Sequence, residues 1–361
     1  MSFLSKLKGW FSKKDDAEAN IAPNEGSPKD PPPTPQPPQP PQPPPPPIND
    51  QPASILDLFS DQLEKVQSKP TSRKADRGPI DIVVCVHNAL GDVKKCLQSV
   101  VEKTHHRFRI ILINDGSDEP TTAYLRQFKN KHENCDLLEN ATSNGYTKAA
   151  NQGLRHSFAP TVVLLNSDTI VTPHWLTYLT EALFAGPKVG IAGPLSNAAS
   201  WQSVPDIFDS QGDWAINTIP RGYDLESYSQ LIHRISGKDF PRVDFLNGFC
   251  LAMKRGVIDE IGFLDEQTFP NGYGEENDYC LRAREKGYEL AVADHTFVFH
   301  SKSRSYKHDR RQKLSMDGSI SLIKKHGAAR VKQGLETTRH HPVLVKLRMQ
   351  LKQVQRSGRR N

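Results

Sequence analysis

Cysteine is scarce in this 361-residue chain, and the five present (Cys85, Cys96, Cys135, Cys250, Cys280) are odd in number and lack metal-ligand spacing. Cys85 and Cys250 sit inside apolar runs, Cys96 and Cys280 at apolar helix positions, so reduced core thiols of a cytosolic protein are expected. No run approaches the ~18 apolar residues of a membrane-crossing helix, and no apolar core at the N-terminus resembles a secretory signal. The expected location is therefore cytoplasmic. Also missing are GxGxxG, GxxxxGK[ST] and GxSxG. That leaves a dinucleotide Rossmann site, a P-loop and a hydrolase nucleophile elbow without support.

What is abundant is uneven. The formal charge of +6 comes from Lys, Arg and His concentrated in the N-terminal stub and after Lys302, a basic rim that suits an anionic partner, membrane headgroups or nucleic acid. Residues 1–20 read as an amphipathic basic helix, with Phe3, Leu4, Leu7, Trp10 and Phe11 on one face, the pattern of a segment lying on an anionic membrane or docking on a protein. Residues 21–53 contain the nearly pure proline and glutamine stretch Pro31 to Pro47, a polyproline spacer. An amphipathic helix and linker follow over 54–78, with Ser54 and Asp57 placed to cap it.

From residue 79 to about 305 the pattern changes to short buried strands alternating with amphipathic helices. Expected strands are Ile82–Val86, Arg109–Ile113, Asp136–Leu138, Thr161–Leu165, Val189–Ala192, Val243–Leu246, Cys250–Lys254, Glu289–Ala293 and Phe297–Phe299. Alternation with short polar turns implies βαβ units around a mostly parallel sheet. The stretch 194–241, polar and rich in Gly, Pro, Trp and Tyr, reads as a long binding loop for a second substrate. The basic tail, 306–361, is expected to be helical, either touching the membrane or covering the sheet.

Chemistry gathers at the strand tips. Val162 to Leu165 is a buried strand ending in Asn166-Ser167-Asp168, and the crevice outside such strand ends is where open α/β sheets bind ligands. The alternative is that Asp168 merely caps a helix near Pro173. Asp115 ends another strand, and Glu275, Glu276 and Asp278 follow a glycine turn, where the helix dipole alone would favour one or two acids. Carboxylates collected on one rim repel unless a hard divalent cation, Mg²⁺ or Mn²⁺, sits among them.

Seven segments in order, CVHNA (85–89), INDGSD (113–118), SNGYTKAANQG (143–153), LLNSDT (164–169), DFLNGFCLAMKR (244–255), GFLDE (262–266) and GYGEENDYCLRAREKGYEL (272–290), together resemble the family 2 inverting glycosyltransferases of the GT-A fold, in a rhamnosyltransferase-like branch. The resemblance runs from about Ile80 to His300. It implies that Val86, His87, Asp115, Asn144, Gly145 and Asn166 line the pocket of a UDP- or dTDP-linked sugar, and that Asp168 and His300 hold Mn²⁺ or Mg²⁺ on its diphosphate. Glu276 falls at the position of the catalytic base, with Asp278 as runner-up. Trp201, Asn247 and Gly248 are candidates for the acceptor side, the acceptor being a glycan, a lipid-linked sugar or a protein. No nucleic acid partner is then expected. Asn166 replaces the family's first metal-motif acid, which implies weaker metal binding, and Glu276 makes the base one methylene longer. The competing reading is a non-catalytic GT-A module tethered by its proline arm.

Overall fold

The computed structural model describes residues 78–302 and 308–357. The N-terminal helix, proline spacer and second amphipathic helix expected before residue 78 lie outside the described residues.

One nine-stranded sheet forms the centre: β1 (Ile80–Val86), β2 (Phe108–Asp115), β3 (Cys135–Asn140), β4 (Thr161–Asn166), β5 (Thr169–Val171), β6 (Val189–Leu195), β7 (Arg242–Val243), β8 (Cys250–Lys254) and β9 (Glu289–His300). Their order is β3-β2-β1-β4-β8-β6-β9-β5, with β7 also beside β9. β1 through β4 are parallel; β8 lies antiparallel between β4 and β6, and β9 runs parallel to β6. The alternation of side chains splits the core into two layers. Ile82, Val84 and Val86 face α1 (Leu90–Lys103), α2 (Glu119–Lys131) and α4 (Trp175–Leu183). Val83 and Cys85 face the side of α3 (Tyr146–His156), α5 (Leu225–Ile235), α6 (Arg255–Ile261) and α7 (Glu275–Glu285).

Three differences from the sequence reading have physical reasons. The long 194–241 segment is not all loop: Asp224 and Ser227 form a capping box, and Tyr228, Leu231 and Ile232 bury one face of α5. The two expected final strands are one twelve-residue β9. Its polar middle is tolerated because buried Asp294 accepts hydrogen bonds from Ser236 Oγ (2.7 Å) and the Asp239 and Phe240 amides (both 3.2 Å). Finally, β5 pairs antiparallel with β9 directly after Asp168.

The basic tail covers the sheet. Helices α8 (His308–His326), α9 (Ala328–Arg339) and α10 (Pro342–Ser357) insert Leu322, Ile323, Val331, Leu344, Leu347 and Leu351 into the same core layer as α7. No helix among the described residues is long and apolar enough to cross a membrane.

Near the start of β1, buried Asp81 accepts from Arg109 Nε (3.0 Å) and Nη2 (2.9 Å), Ser157 Oγ (2.8 Å) and the Phe158 and Ala159 amides (3.0 and 3.1 Å). Burial by itself would raise its pKa, but Arg109, Ser157 and Ala159 together hold it below the ordinary carboxylate value. Stability from this site is thus present above the usual carboxylate range and lost as pH falls through the lower folded-state value. Asp81→Ala is expected to destabilise by about 3 kcal/mol, the low end for a broken buried pair because Arg109 stays partly solvated. Urea unfolding at pH 7 measures this directly.

Candidate active site

The C-terminal ends of β1, β2, β4, β6 and β9 and the N-terminal end of antiparallel β8 share one rim. The register fixes this, with Cys85 opposite Asn166, Leu165 opposite Cys250 and Thr169 opposite His300. Asp168 therefore emerges beside His300, and the Ser301 amide donates to the Asp168 carbonyl at 2.9 Å. The residue before α4 is His174, without a side-chain cap, so Asp168 caps no helix.

His300 is almost fully buried, its ring stacked on Phe249 at 5.3 Å and 15°. Its Nδ1 lies 2.9 Å from the Ala198 carbonyl, which can only accept, so that nitrogen carries the proton. In the neutral ring, Nε2 then presents a lone pair to Asp168 Oδ1 at 3.2 Å. Two acceptors this close need a proton or a cation between them. A carboxylate oxygen and an imidazole nitrogen, the latter oriented by a carbonyl behind it, fit a divalent ion that keeps its other positions for water and phosphate. No cluster of three or more such side chains occurs among the described residues.

Phe249 links this pair to the acidic turn. Its carbonyl accepts from the Asn166 amide at 2.9 Å, and the neighbouring Gly248 lies against Glu276, where an added Cβ would meet the Glu276 Cβ at 3.3 Å. Asp168, His300, Phe249, Gly248 and Glu276 thus form one contiguous wall. Tyr146, at the start of α3, spans the same space. Burial raises its phenol pKa well above the ordinary value, and the charges of Glu275, Glu276 and Asp168 add to the effect. The sequence reading missed Tyr146, whose only signal was its place after the Asn144-Gly145 turn.

Glu275 is buried, and its Oε2 has no hydrogen-bond partner. Burial and the adjacent Glu276 charge push its pKa well up. Glu276 is only half-buried and accepts from the Gly274 amide at 3.1 Å. Burial raises its pKa too, opposed by that amide, by Glu275 and by the Lys302 cation. A partly exposed carboxylate with a raised pKa is suited to accept a proton near neutral pH.

Several expected site residues have other work. The Val86 side chain is in the core, and its carbonyl accepts from Ser117 Oγ at 3.3 Å. Asp115 is saturated: Asn140 Nδ2 (2.9 Å), Ser143 Oγ (2.9 Å) and the Asn144 and Gly145 amides (2.9 and 3.1 Å) all donate to it. It builds the loop that carries Asn144 and Gly145. His87 is exposed, with Nδ1 2.8 Å from the Asp115 carbonyl. Asn247 is spent on Ser200 Oγ, Gln202 Oε1 and the Phe249 amide. Trp201 is 9% exposed, edge-on to Phe208 and Trp214. Asp278 is fully buried between Arg282 Nε (2.8 Å), Lys325 Nζ (2.6 Å) and His326 Nε2 (2.7 Å), which together outweigh burial and hold its pKa low. An ion-paired, inaccessible carboxylate has neither lone pair nor path for an incoming proton, so Asp278 is structural.

Sheet order, rim and acidic turn define the GT-A fold, and a glycosyl transferase family 2 model matches residues 81–262, about half of the chain. The protein belongs to that family. It is 22% identical over 218 residues to glycosyltransferase AglE of Haloferax volcanii, covering 59% of this chain and 64% of that one. It is 24% identical over 239 residues to hyaluronan synthase of Pasteurella multocida, covering 61% of this chain but 24% of the relative. The chain therefore matches less than two thirds of the length of these relatives. Mannosyltransferase PcManGT of Pyrobaculum calidifontis, solved with GDP-Man and Mn²⁺, superposes with a TM-score of 0.52 at 14% identity over 81% of this chain and 80% of that one.

Proposed function

We propose that the protein transfers a sugar from a nucleoside-diphosphate donor to a hydroxyl of a glycan or lipid-linked acceptor, inverting the anomeric centre in a single displacement. The observation that carries this reading is the contiguous wall from the Asp168–His300 pair to Glu276, which sets a cation-binding couple and a proton acceptor on one rim. The GDP-Man and Mn²⁺ in the solved neighbour and the synthase activity named for one relative are in keeping with it.

Asp168 and His300 Nε2 would hold a divalent ion, which when bound supplies Lewis-acid neutralisation of the leaving diphosphate. Asn166, half-buried at the β4 tip, adds a neutral side chain there where a second carboxylate would bind metal more tightly. The loop 143–145, held by Asp115, would border the nucleoside. Glu276 would take the proton from the attacking hydroxyl, with buried Glu275 behind it. Since both faces of the reacting carbon are served by separate groups, no covalent enzyme intermediate is required.

The test is a thermal-shift screen of UDP, dTDP and GDP with and without Mn²⁺. A cognate diphosphate at a hundred times its Kd is expected to stabilise the fold by about 2.7 kcal/mol, and only with metal. Equal shifts with and without Mn²⁺ would remove the metal from the reading.

A further inference from the structure

The four residues before Glu275 form an unusual turn. Gly272, Tyr273 and Gly274 have φ of 83°, 65° and 132°, so three successive residues occupy the left-handed side of the map. For Tyr273 this costs of order 1–2 kcal/mol, and such a conformation persists only when its surroundings enforce it. The turn also carries the one amide, from Gly274, that bonds the Glu276 carboxylate.

Helix α8 supplies the enforcement. A Cβ on Gly318, in the middle of α8, would lie 1.6 Å from the Tyr273 carbonyl oxygen, and a Cβ on Gly274 would meet the Phe269 ring at 2.8 Å and the Gly318 carbonyl at 3.3 Å. The turn is gripped between Phe269 and bare helix backbone. Glycine at a helix interior is unfavourable by about 1 kcal/mol relative to alanine. The close approach to Tyr273 accounts for it here. About two helical turns further on, Lys325 and His326 of α8 both reach buried Asp278 of α7, while Lys325 also binds Asp265 at 2.8 Å. Arg282 completes the junction by donating to the Ile261 and Phe263 carbonyls, both at 2.8 Å.

We propose that α8 is a positioning element of the active centre: Gly318 holds the Asn271–Gly274 turn, and Lys325 and His326 hold the first turn of α7, so that Glu276 meets the acceptor in register. This rests on the assignment of Glu276 as base. A helix that merely covered the core would change stability without changing the chemistry. The groups facing Glu276 are Glu275 and Cys280 of α7, Tyr146 of α3 and Lys302 after β9. None of them is altered in the variants below.

In Gly318→Ala the added methyl must push Tyr273 outward and withdraw the Gly274 amide from Glu276. The expected result is faster amide hydrogen exchange confined to residues 272–276. It should be accompanied by a loss of kcat of about 10²-fold at nearly constant donor KM. The acid limb of kcat/KM should also move to higher pH, because a hydrogen bond favouring the ionised carboxylate is gone. Rates are read as nucleoside diphosphate released from UDP-glucose, UDP-N-acetylglucosamine, GDP-mannose and dTDP-rhamnose. Lys325→Met should act in the same direction, and Lys325→Arg should restore the rate. If Gly318→Ala does not fold, the lysine pair decides. Unchanged exchange in the turn, or wild-type kcat and pH limb in folded Gly318→Ala or Lys325→Met, would overturn the proposal. Glu276→Gln is run alongside. Activity retained in that variant overturns the base assignment, whereas its loss together with wild-type rates in Gly318→Ala overturns only the role of α8.

Discussion

Replacing Glu276 by glutamine is expected to lower transfer by about 10²–10⁴-fold, the usual contribution of a positioned general base, while leaving nucleotide binding and melting temperature close to those of the parent. Glutamine keeps the side-chain length and a carbonyl oxygen for the Gly274 amide, so the turn before α7 should survive. What it removes is the capacity to accept a proton. The parent enzyme should lose kcat/KM as pH falls through a value above the ordinary glutamate range, because burial raises the Glu276 pKa and the base must be ionised to act. That limb should vanish in the glutamine variant. Asp278→Asn makes the contrast. It breaks the same junction as Lys325→Met and should lower stability and move the acid limb to higher pH, but a folded fraction should still show that limb.

Asp168→Ala should abolish most of the turnover and, with it, the Mn²⁺-dependent part of any thermal shift. A single electrostatic partner of a leaving group is commonly worth about 10²–10³-fold. Since α4 begins at His174 without help from Asp168, helix loss cannot account for the effect. Alanine also leaves His300 Nε2 facing empty space, a mild change because the Ala198 carbonyl still orients the ring. Room-temperature electron spin resonance of free Mn²⁺ gives a second readout: the parent should deplete the free-ion signal and the variant should not. Equal depletion by both proteins would mean that the ion binds elsewhere.

The strands of the first half were legible because Ile82 to Val86 and Val162 to Leu165 are unbroken apolar runs, and each ends in a polar tip that reaches the rim. The opposition of Asp168 and His300 followed from family resemblance, since residues 132 positions apart meet only through the β5–β9 pairing. Three-residue β5 has too little pattern to detect. Helix α5 was hidden by composition, for the surrounding Gly, Pro and aromatic residues outweighed the Leu225, Tyr228, Leu231, Ile232 period. Whether a polar residue is available to a ligand was not legible in the sequence. Asp115 is satisfied by the 140–145 segment and Asn247 partly by Ser200 and Gln202, and Asp278 is paired with the Lys325 cation almost fifty residues later. A one-dimensional reading sees the carboxylate but not the distant ammonium that occupies it.

Arg348, buried in α10, donates to the carbonyls of Trp201 and Ser203, a short step from the Ala198 carbonyl that orients His300. Burial drops its pKa to about 10, still cationic in the cell. Together with the grip of α8 on the glycine turn, this makes both ends of the proposed reaction centre depend on helices that follow the sheet in sequence. Strand tips alone therefore do not make the site; the helices that follow the sheet brace it.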